Sequence, residues 1–357
     1  MRLVWGHVDR VAEAAAGYQR LEVSTPAGPA SAVCYTSLTG ECSAGERVLL
    51  NMTAVHLRLG TGGSHFVVAR DGGGDIALDD PSGGHVMKLR YSPLQRDVLA
   101  VESQESPHHE VMERAEDLRG MPVVCCGLHS QVPLVAAGIK EGAPDARVAY
   151  VMTDQASVMM ALSDLVRAST AAGLLDGTVT AGQALGGGLE AVTVHSALLA
   201  ARHVTGADVA IVAIGPGVVG TGTPFGHGGI AQGEAINAAG VLGGRPIAAL
   251  RVSFADTRER HRGVSHHSLT ALGRIALVPA TVAVPHLPDD QASEVEAALE
   301  GAGVWLRHQR ADIGTTRLPD LHGVSVRSMR RGPEDDPAFF LAAAAAGRAA
   351  ASLLTDL

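Results

Sequence analysis

From Asp97 onward, short β-branched apolar runs recur at intervals that leave room for a helix between them: DVLAVES, PVVCCG, RVAYVMTD, ADVAIVAIG, PIAALRVSFAD and TVAVPHL. This alternation constrains the fold more than any other feature. A strand followed by a helix returns as a parallel neighbour, and a parallel sheet has to be covered on both faces. The expected class is α/β, with a mostly parallel, Rossmann-like doubly wound sheet. The residues up to about Arg70 follow another pattern, in which RLEVST, SAVCYTSL, ERVLLNMTAV and HFVVAR are short, alternating and separated by Gly-containing turns. They read as a small antiparallel β-barrel. DGGGD at Asp71 to Asp75 and DDPSGG at Asp79 to Gly84 read as a linker, so a barrel-like domain is expected over 1–84 and an α/β domain over 85–357. The alanine-rich AFFLAAAAAGRAAASLL, interrupted by Gly347 and Arg348, is expected to be a C-terminal helix packed on the body.

Composition narrows the function classes. The net charge of −9 and the lack of a basic run argue against a general phosphate-backbone binder, so nucleic acid is not an expected partner. No uninterrupted apolar stretch reaches the roughly 20 residues of a membrane span, and the N-terminus has no apolar signal-like core, which points to a cytoplasmic protein with no membrane partner. The cysteines Cys34, Cys42, Cys125 and Cys126 contain no C-x-x-C pair and read as free thiols. Cys125 and Cys126, adjacent in a strand, would point to opposite faces of the core. With 43 glycines in the chain, any single glycine motif is weak.

In an open α/β sheet the ligand sits beyond the carboxyl ends of the strands, so the residues that follow each apolar run carry the functional signal. PVVCCG is followed by His129, RVAYVM by Thr153 and Asp154, DVAIVAI by a glycine loop, and IAALRVSF by Asp256. His129 and Asp154, together with His267, are the acid/base candidates. In the loop, Gly215, Gly217, Gly220, Thr221, Gly222 and Thr223 are candidate ligand contacts. Glycine lets backbone come close to a ligand and turn its N–H groups toward an anion at a helix start. The loop departs from the dinucleotide fingerprint at Pro216, and no acidic strand end follows about 20 residues later. A site for a smaller anion, a dinucleotide site and a purely structural turn all remain open readings.

The segment DTRERHRGVSHHSLTALG is a second cluster, in which Asp256, His261 and His266 are ligand types suited to a divalent metal. Acid/base or anion-binding histidines, or a solvated surface, are the alternatives. His266 and His267 diverge by about 100° on a helix, so only one of them is expected at a shared ion. Ser265 is the expected cap of that helix. Lys88, in GHVMKLRYSPLQRD, is a candidate anion contact, with salt bridging as the alternative. Glu190, after three glycines in TAGQALGGGLEAVTVHSALLAA, is expected on a helix near its N-terminus.

The segments GHVMKLRYSPLQ, LHSQ, GTVTAGQALGGGLEAV, GPGVVGTGTPFG and RHRGVSHHSLTALG together resemble an uncharacterised bacterial domain-of-unknown-function family, number 3866, over most of the chain. The resemblance implies one recurring bacterial unit and brings no reaction or catalytic residue. The residues themselves point to a cytosolic enzyme acting on a small phosphorylated or nucleotide-like ligand, with a divalent metal as a candidate cofactor. A non-catalytic nucleotide-binding sensor or scaffold and an NAD(P)-dependent oxidoreductase are the alternatives. The C-terminal helix suits docking on its own sheet or on a second copy, which leaves a homo-oligomer open.

Overall fold

The alternating N-terminal runs close into a barrel in the computed structural model of the chain, which describes residues 1–58, 63–72, 83–314 and 316–355. Strands β1 (Leu3–Ala15), β2 (Tyr18–Thr25), β3 (Gly28–Cys34), β4 (Arg47–Asn51) and β5 (Ser64–Asp71) join in the order β1-β2-β3-β5-β4. All neighbours are antiparallel except β3 and β5, giving the Greek-key arrangement of an OB-type barrel. Register shifts along β1 at Val8/Arg10 and Val11/Glu13 mark the bulges that let so long a strand bend around the barrel. Val8, Leu21, Val23, Val48 and Leu50 fill the interior. The one-turn helices α1 (Thr36–Thr39) and α2 (Thr53–His56) flank β4. The hairpin β6 (Val86–Lys88) and β7 (Arg96–Val98) belongs to this first unit, which ends at Val98 and not at residue 84. Most of the expected linker, residues 73–82, lies outside the described residues.

The second unit, Leu99–Leu357, is built on an eight-stranded sheet. After α3 (His109–Arg114) come β8 (Pro122–Cys126), α4 (Val132–Gly142), β9 (Val148–Thr153), α5 (Asp164–Ala171), β10 (Gly177–Ala181) and β11 (Leu189–Ala191). Next are α6 (Val194–His203), β12 (Val209–Ile214), α7 (Ala231–Val241), β13 (Arg245–Ala249), and a short pair, β14 (Val252–Ser253) with β15 (Gly263–Val264). The chain closes with α8 (His266–Thr270), β16 (Thr281–Pro285), α9 (Asp289–Gly301), β17 (Gln309–Ile313) and α10 (Pro337–Thr355).

The strand order is β11-β10-β9-β12-β8-β13-β16-β17, and every pairing is parallel. Of the predicted strands, DVLAVES stays out of this sheet. Its Asp97 and Val98 pair with β6 as part of β7, and Ala100 only bridges Glu190. β12 is buried along its whole length, as a central strand covered on both faces has to be. Val209, Ile211 and Ala213 join one core and Ala210 and Val212 the other, and Cys125 and Cys126 part in the same way. Helices α6, α7 and α9 cover the face of Ala210 and Val212, while α4, α5 and most of α10 cover that of Val209, Ile211 and Ala213. The chain leaves the neighbouring strands β8 and β12 toward opposite faces, through α4 and α7, and this divergence opens a crevice at their carboxyl ends.

Helix α10 is, among the described residues, long and apolar enough to cross a membrane, yet its Ala-rich surface is packed inside the second unit. It lies against α4 with almost no gap, because Gly138 and Gly347 face the partner backbone. A Cβ on Gly347 would stand 2.1 Å from the Val135 carbonyl oxygen.

Candidate functional site

Glycine loop and histidines meet at the carboxyl rim. β12 ends at Ile214, and Gly215 passes so close to the Ser157 carbonyl that no side chain fits there. The loop then doubles back on itself, with Gly220 bridging His227 and the Thr221 N–H donating to the Gly226 carbonyl at 2.9 Å. Thr221 and Thr223 bond each other at 2.9 Å, and Thr223 Oγ1 also accepts from the Gly226 N–H. Gly217 and Gly222 take left-handed φ of 93° and 80°, which fits their place in tight turns. The hairpin is exposed from Val219 to Gly226 and becomes buried at His227, where Gly228 and Gly229 lead into α7.

His227 belongs to a centre of four imidazoles. Its ring stacks on His267 with centroids 3.9 Å apart and planes 4° from parallel. His266 and His261 close the group, 4.5 Å and 5.0 Å from His267. Ser265 organises two of them. Its Oγ accepts from the His267 N–H as helix cap and lies 2.8 Å from His261 Nδ1. Contrary to the helical-divergence expectation, both His266 and His267 reach the centre. The 100° separation applies to the Cα–Cβ directions, whereas the rings extend beyond Cβ and end with centroids 4.5 Å apart. A π-helical turn, Ala271–Ile275, directly follows these histidines.

Beside the rings is a buried ion network. Asp256 holds Arg258 through both carboxylate oxygens, at 2.9 and 2.8 Å, and contacts Arg331 at 3.3 Å and Arg251 at 3.9 Å. Asp336 takes Arg331 at 3.1 Å and the Ser253 hydroxyl at 2.6 Å. Hydrogen bonding from Arg258 holds the Asp256 carboxyl far below its usual range, against the opposing effect of burial. Burial lowers Arg251 to about 10, so it stays charged at neutral pH. Three guanidinium groups thus face two carboxylates, and the network carries excess positive charge.

That charge and burial keep the histidines neutral. Burial first, then His227 and Arg251, lowers His267 to about 2; burial and Arg251 bring His261 to about 3; burial and His227 bring His266 to about 4. His227 is lowered too, mainly by burial. The tautomers follow from the partners. His227 Nε2 is 3.0 Å from the Pro224 carbonyl, so the proton sits there and Nδ1 keeps its lone pair. Arg251 can only donate, and its Nη1 is 3.2 Å from His267 Nδ1, so His267 carries its proton on Nε2. His227 Nδ1, His266 Nε2 and His267 Nε2 are buried without a hydrogen-bond partner, and one ring nitrogen from each of these three histidines lies within 4.8 Å of the others. The stacked rings therefore hold one unpartnered acceptor and one unpartnered donor.

Residues able to hold a metal are these same three histidines. An ion lies in the plane of each ring that binds it, and parallel rings 3.9 Å apart share no such point, so one ring would have to turn. His267 would also have to move its proton from Nε2 to Nδ1, against Arg251. Asp256, with its oxygens taken by arginines, offers none to an ion, and His261 Nδ1 is taken by Ser265.

The other predicted residues are distributed around this centre. His129 is enclosed, with one ring nitrogen 3.0 Å from the Tyr150 hydroxyl and the other 2.6 Å from Ser163 Oγ, and burial lowers it to about 4. Asp154 accepts from the Gln183 N–H and lines a cavity of about 150 Å³ with Thr153, Gln155, Gly182 and Glu234. That volume is below the ~300 Å³ of a typical ligand pocket, and its carboxylates repel an anion. A larger groove of about 420 Å³, beside Lys140, Glu141 and Arg317, opens at the amino end of the sheet, away from the strand-end chemistry. Glu190 is in strand β11, not on a helix, and its carboxylate accepts from Thr180 Oγ1 at 2.6 Å and from the Gly186 N–H at 2.7 Å. The helix begins only at Val194, capped by Thr193. Lys88 falls in β6 of the first unit.

Sequence reasoning missed His227, Arg251, Arg331 and Asp336. His227 and Arg251 had a signal, since each follows an apolar strand within the loop it feeds. Arg331 and Asp336 arrive from a segment with no local pattern. Gln232 was also missed; it spans β8 and β13 by donating to the carbonyls of Cys125 and Ala249, at 2.9 and 2.8 Å. No curated protein matches the chain. The model of the family described as "Protein of unknown function (DUF3866)" matches residues 31–347, which take in β4, β5 and the histidine centre but not β1 or β2, and the chain belongs to that family.

Proposed function

We propose that the second unit is an enzyme domain that acts on a small anionic ligand, phosphorylated or nucleotide-like, by acid–base chemistry at the histidine–arginine centre. The observation that carries this reading is the stacked His227–His267 pair, with one unpartnered acceptor and one unpartnered donor, both rings neutral at pH 7. Proton transfer needs one group to take a proton while another gives one, and a neutral imidazole does either. The excess positive charge of Arg251, Arg258 and Arg331 favours an anion over a dication. Exposed Gly217 and Gly222 leave the loop backbone open on the outer side.

Thermal shift with inorganic phosphate and a nucleotide panel, followed by turnover of a metabolite extract, tests the proposal. A ligand at 100 times its Kd is expected to stabilise the chain by about 2.7 kcal/mol. Turnover is expected to fall about 10²–10⁴-fold in His267→Gln with the fold intact. Stabilisation without turnover would assign a non-catalytic sensor, and neither effect would end the proposal. A second reading, a divalent metal on His227, His266 and His267, is favoured by their three converging ring nitrogens. Elemental analysis of untagged protein is expected to show about one zinc-like ion per chain in that case, lost in His266→Ala.

A further inference from the structure

The barrel carries a second reactive arrangement, independent of the proposed enzyme centre. β3 ends at Cys34, the chain turns through α1, and the irregular segment before β4 returns Cys42 so that its Sγ lies 3.6 Å from Cys34 Sγ. Both thiols are buried. Gln19 pins Cys42 in place. Its Oε1 accepts from the Cys42 N–H at 2.8 Å and its Nε2 donates to the Cys42 carbonyl at 3.3 Å. Cys34 Sγ also has Thr39 Oγ1 at 3.3 Å.

We propose that Cys34 and Cys42 are an oxidisable dithiol that a small peroxide closes to a disulfide. A disulfide has its sulfurs about 2.05 Å apart, so this pair must approach by roughly 1.5 Å. Cys42 is flanked by exposed Glu41, Ser43, Ala44 and Gly45 outside any strand, where the chain can take up that shift and open to admit peroxide. The Cys42 S–H donates to Cys34 Sγ and Thr39 Oγ1 lies beside it, so these groups, with Arg70, lower the Cys34 thiol against burial; the Gly40 carbonyl at 3.2 Å must give way as Cys34 becomes the attacking sulfur. Cys125 and Cys126 differ on both counts: they face opposite cores, and burial pushes both thiols up.

The Cys34 thiolate attacks one peroxide oxygen, the O–O bond breaks, and the departing hydroxide takes a proton to become water. Cys42 sulfur then attacks the Cys34 sulfenic acid; the S–S bond forms, the S–O bond breaks, and hydroxide leaves with the Cys42 proton as a second water. Two thiols are oxidised and one peroxide is reduced.

Reduced full-length protein is treated with hydrogen peroxide, alkylated and digested with trypsin. No Lys or Arg lies between Leu21 and Glu46, so one peptide carries both sulfurs, while Cys125 and Cys126 share another. The first peptide is expected to be lighter by two hydrogens, to take no alkyl group, and to regain two alkylatable thiols after dithiothreitol; the second should be alkylated twice. Cys42→Ser is expected to leave Cys34 as a sulfenic acid that dimedone labels, and if that variant does not fold the wild-type peptide decides alone. Two alkylatable thiols after peroxide, or over-oxidation of Cys34 with Cys42 still free, would overturn the proposal.

Discussion

At the scale of single residues, the centre is governed by the cost of leaving charge or lone pairs unmatched. Asp256 is buried and compensates three arginines, so Asp256→Asn is expected to destabilise the chain by about 3–5 kcal/mol, measured by urea unfolding. The histidines make a pH prediction with a definite sign. His261, His266 and His267 have folded values of about 3, 4 and 2 against an ordinary 6.5, so between those limits the unfolded chain binds protons that the folded chain does not. Their stabilising contribution is complete above about pH 6.5 and declines from there toward about pH 2. The urea midpoint should fall steadily from pH 7 to pH 5, and a flat profile would contradict neutral burial of these rings. Legibility here was partial. His266 and His267 stood out as adjacent histidines, and Asp256 as a strand end. Of the arginines that occupy Asp256, Arg258 lies in its own segment, whereas Arg331 comes from 75 residues away and could not be inferred from it.

Among the secondary elements, the contact between α4 and α10 depends on two glycines. Gly347→Val would force a side chain into the Val135 carbonyl and separate the helices, at an expected cost of at least about 1–3 kcal/mol and a matching fall in Tm. An unchanged Tm would mean that the helices do not approach this closely. Helix α10 was readable because alanine favours helix and Gly347 and Arg348 argued against a bilayer. Glu190 was misplaced for a different reason. The glycines before it suggested a helix start, whereas Leu189–Ala191 add an edge strand to β10, and three residues are too few for periodicity to register. β17 was missed because an exposed edge strand lacks the apolar run of a central one.

For the molecule as a whole, each unit has its own interior, and residues 99–357 contain the full eight-stranded sheet with both covering layers. That segment expressed alone is expected to unfold cooperatively with α/β circular dichroism, and a molten far-UV-only signal would count against a self-sufficient core. The amino-acid sequence by itself determined the class of each half, because the alternation of apolar residues reports whether a segment is covered on one face or two. It also placed polar chemistry at the strand ends. Only the tertiary structure decided that β12 inserts between β9 and β8, that His227 stacks on His267, and that Arg331 reaches Asp256. Such pairings join residues tens of positions apart, and local patterning carries no information about which strands become neighbours.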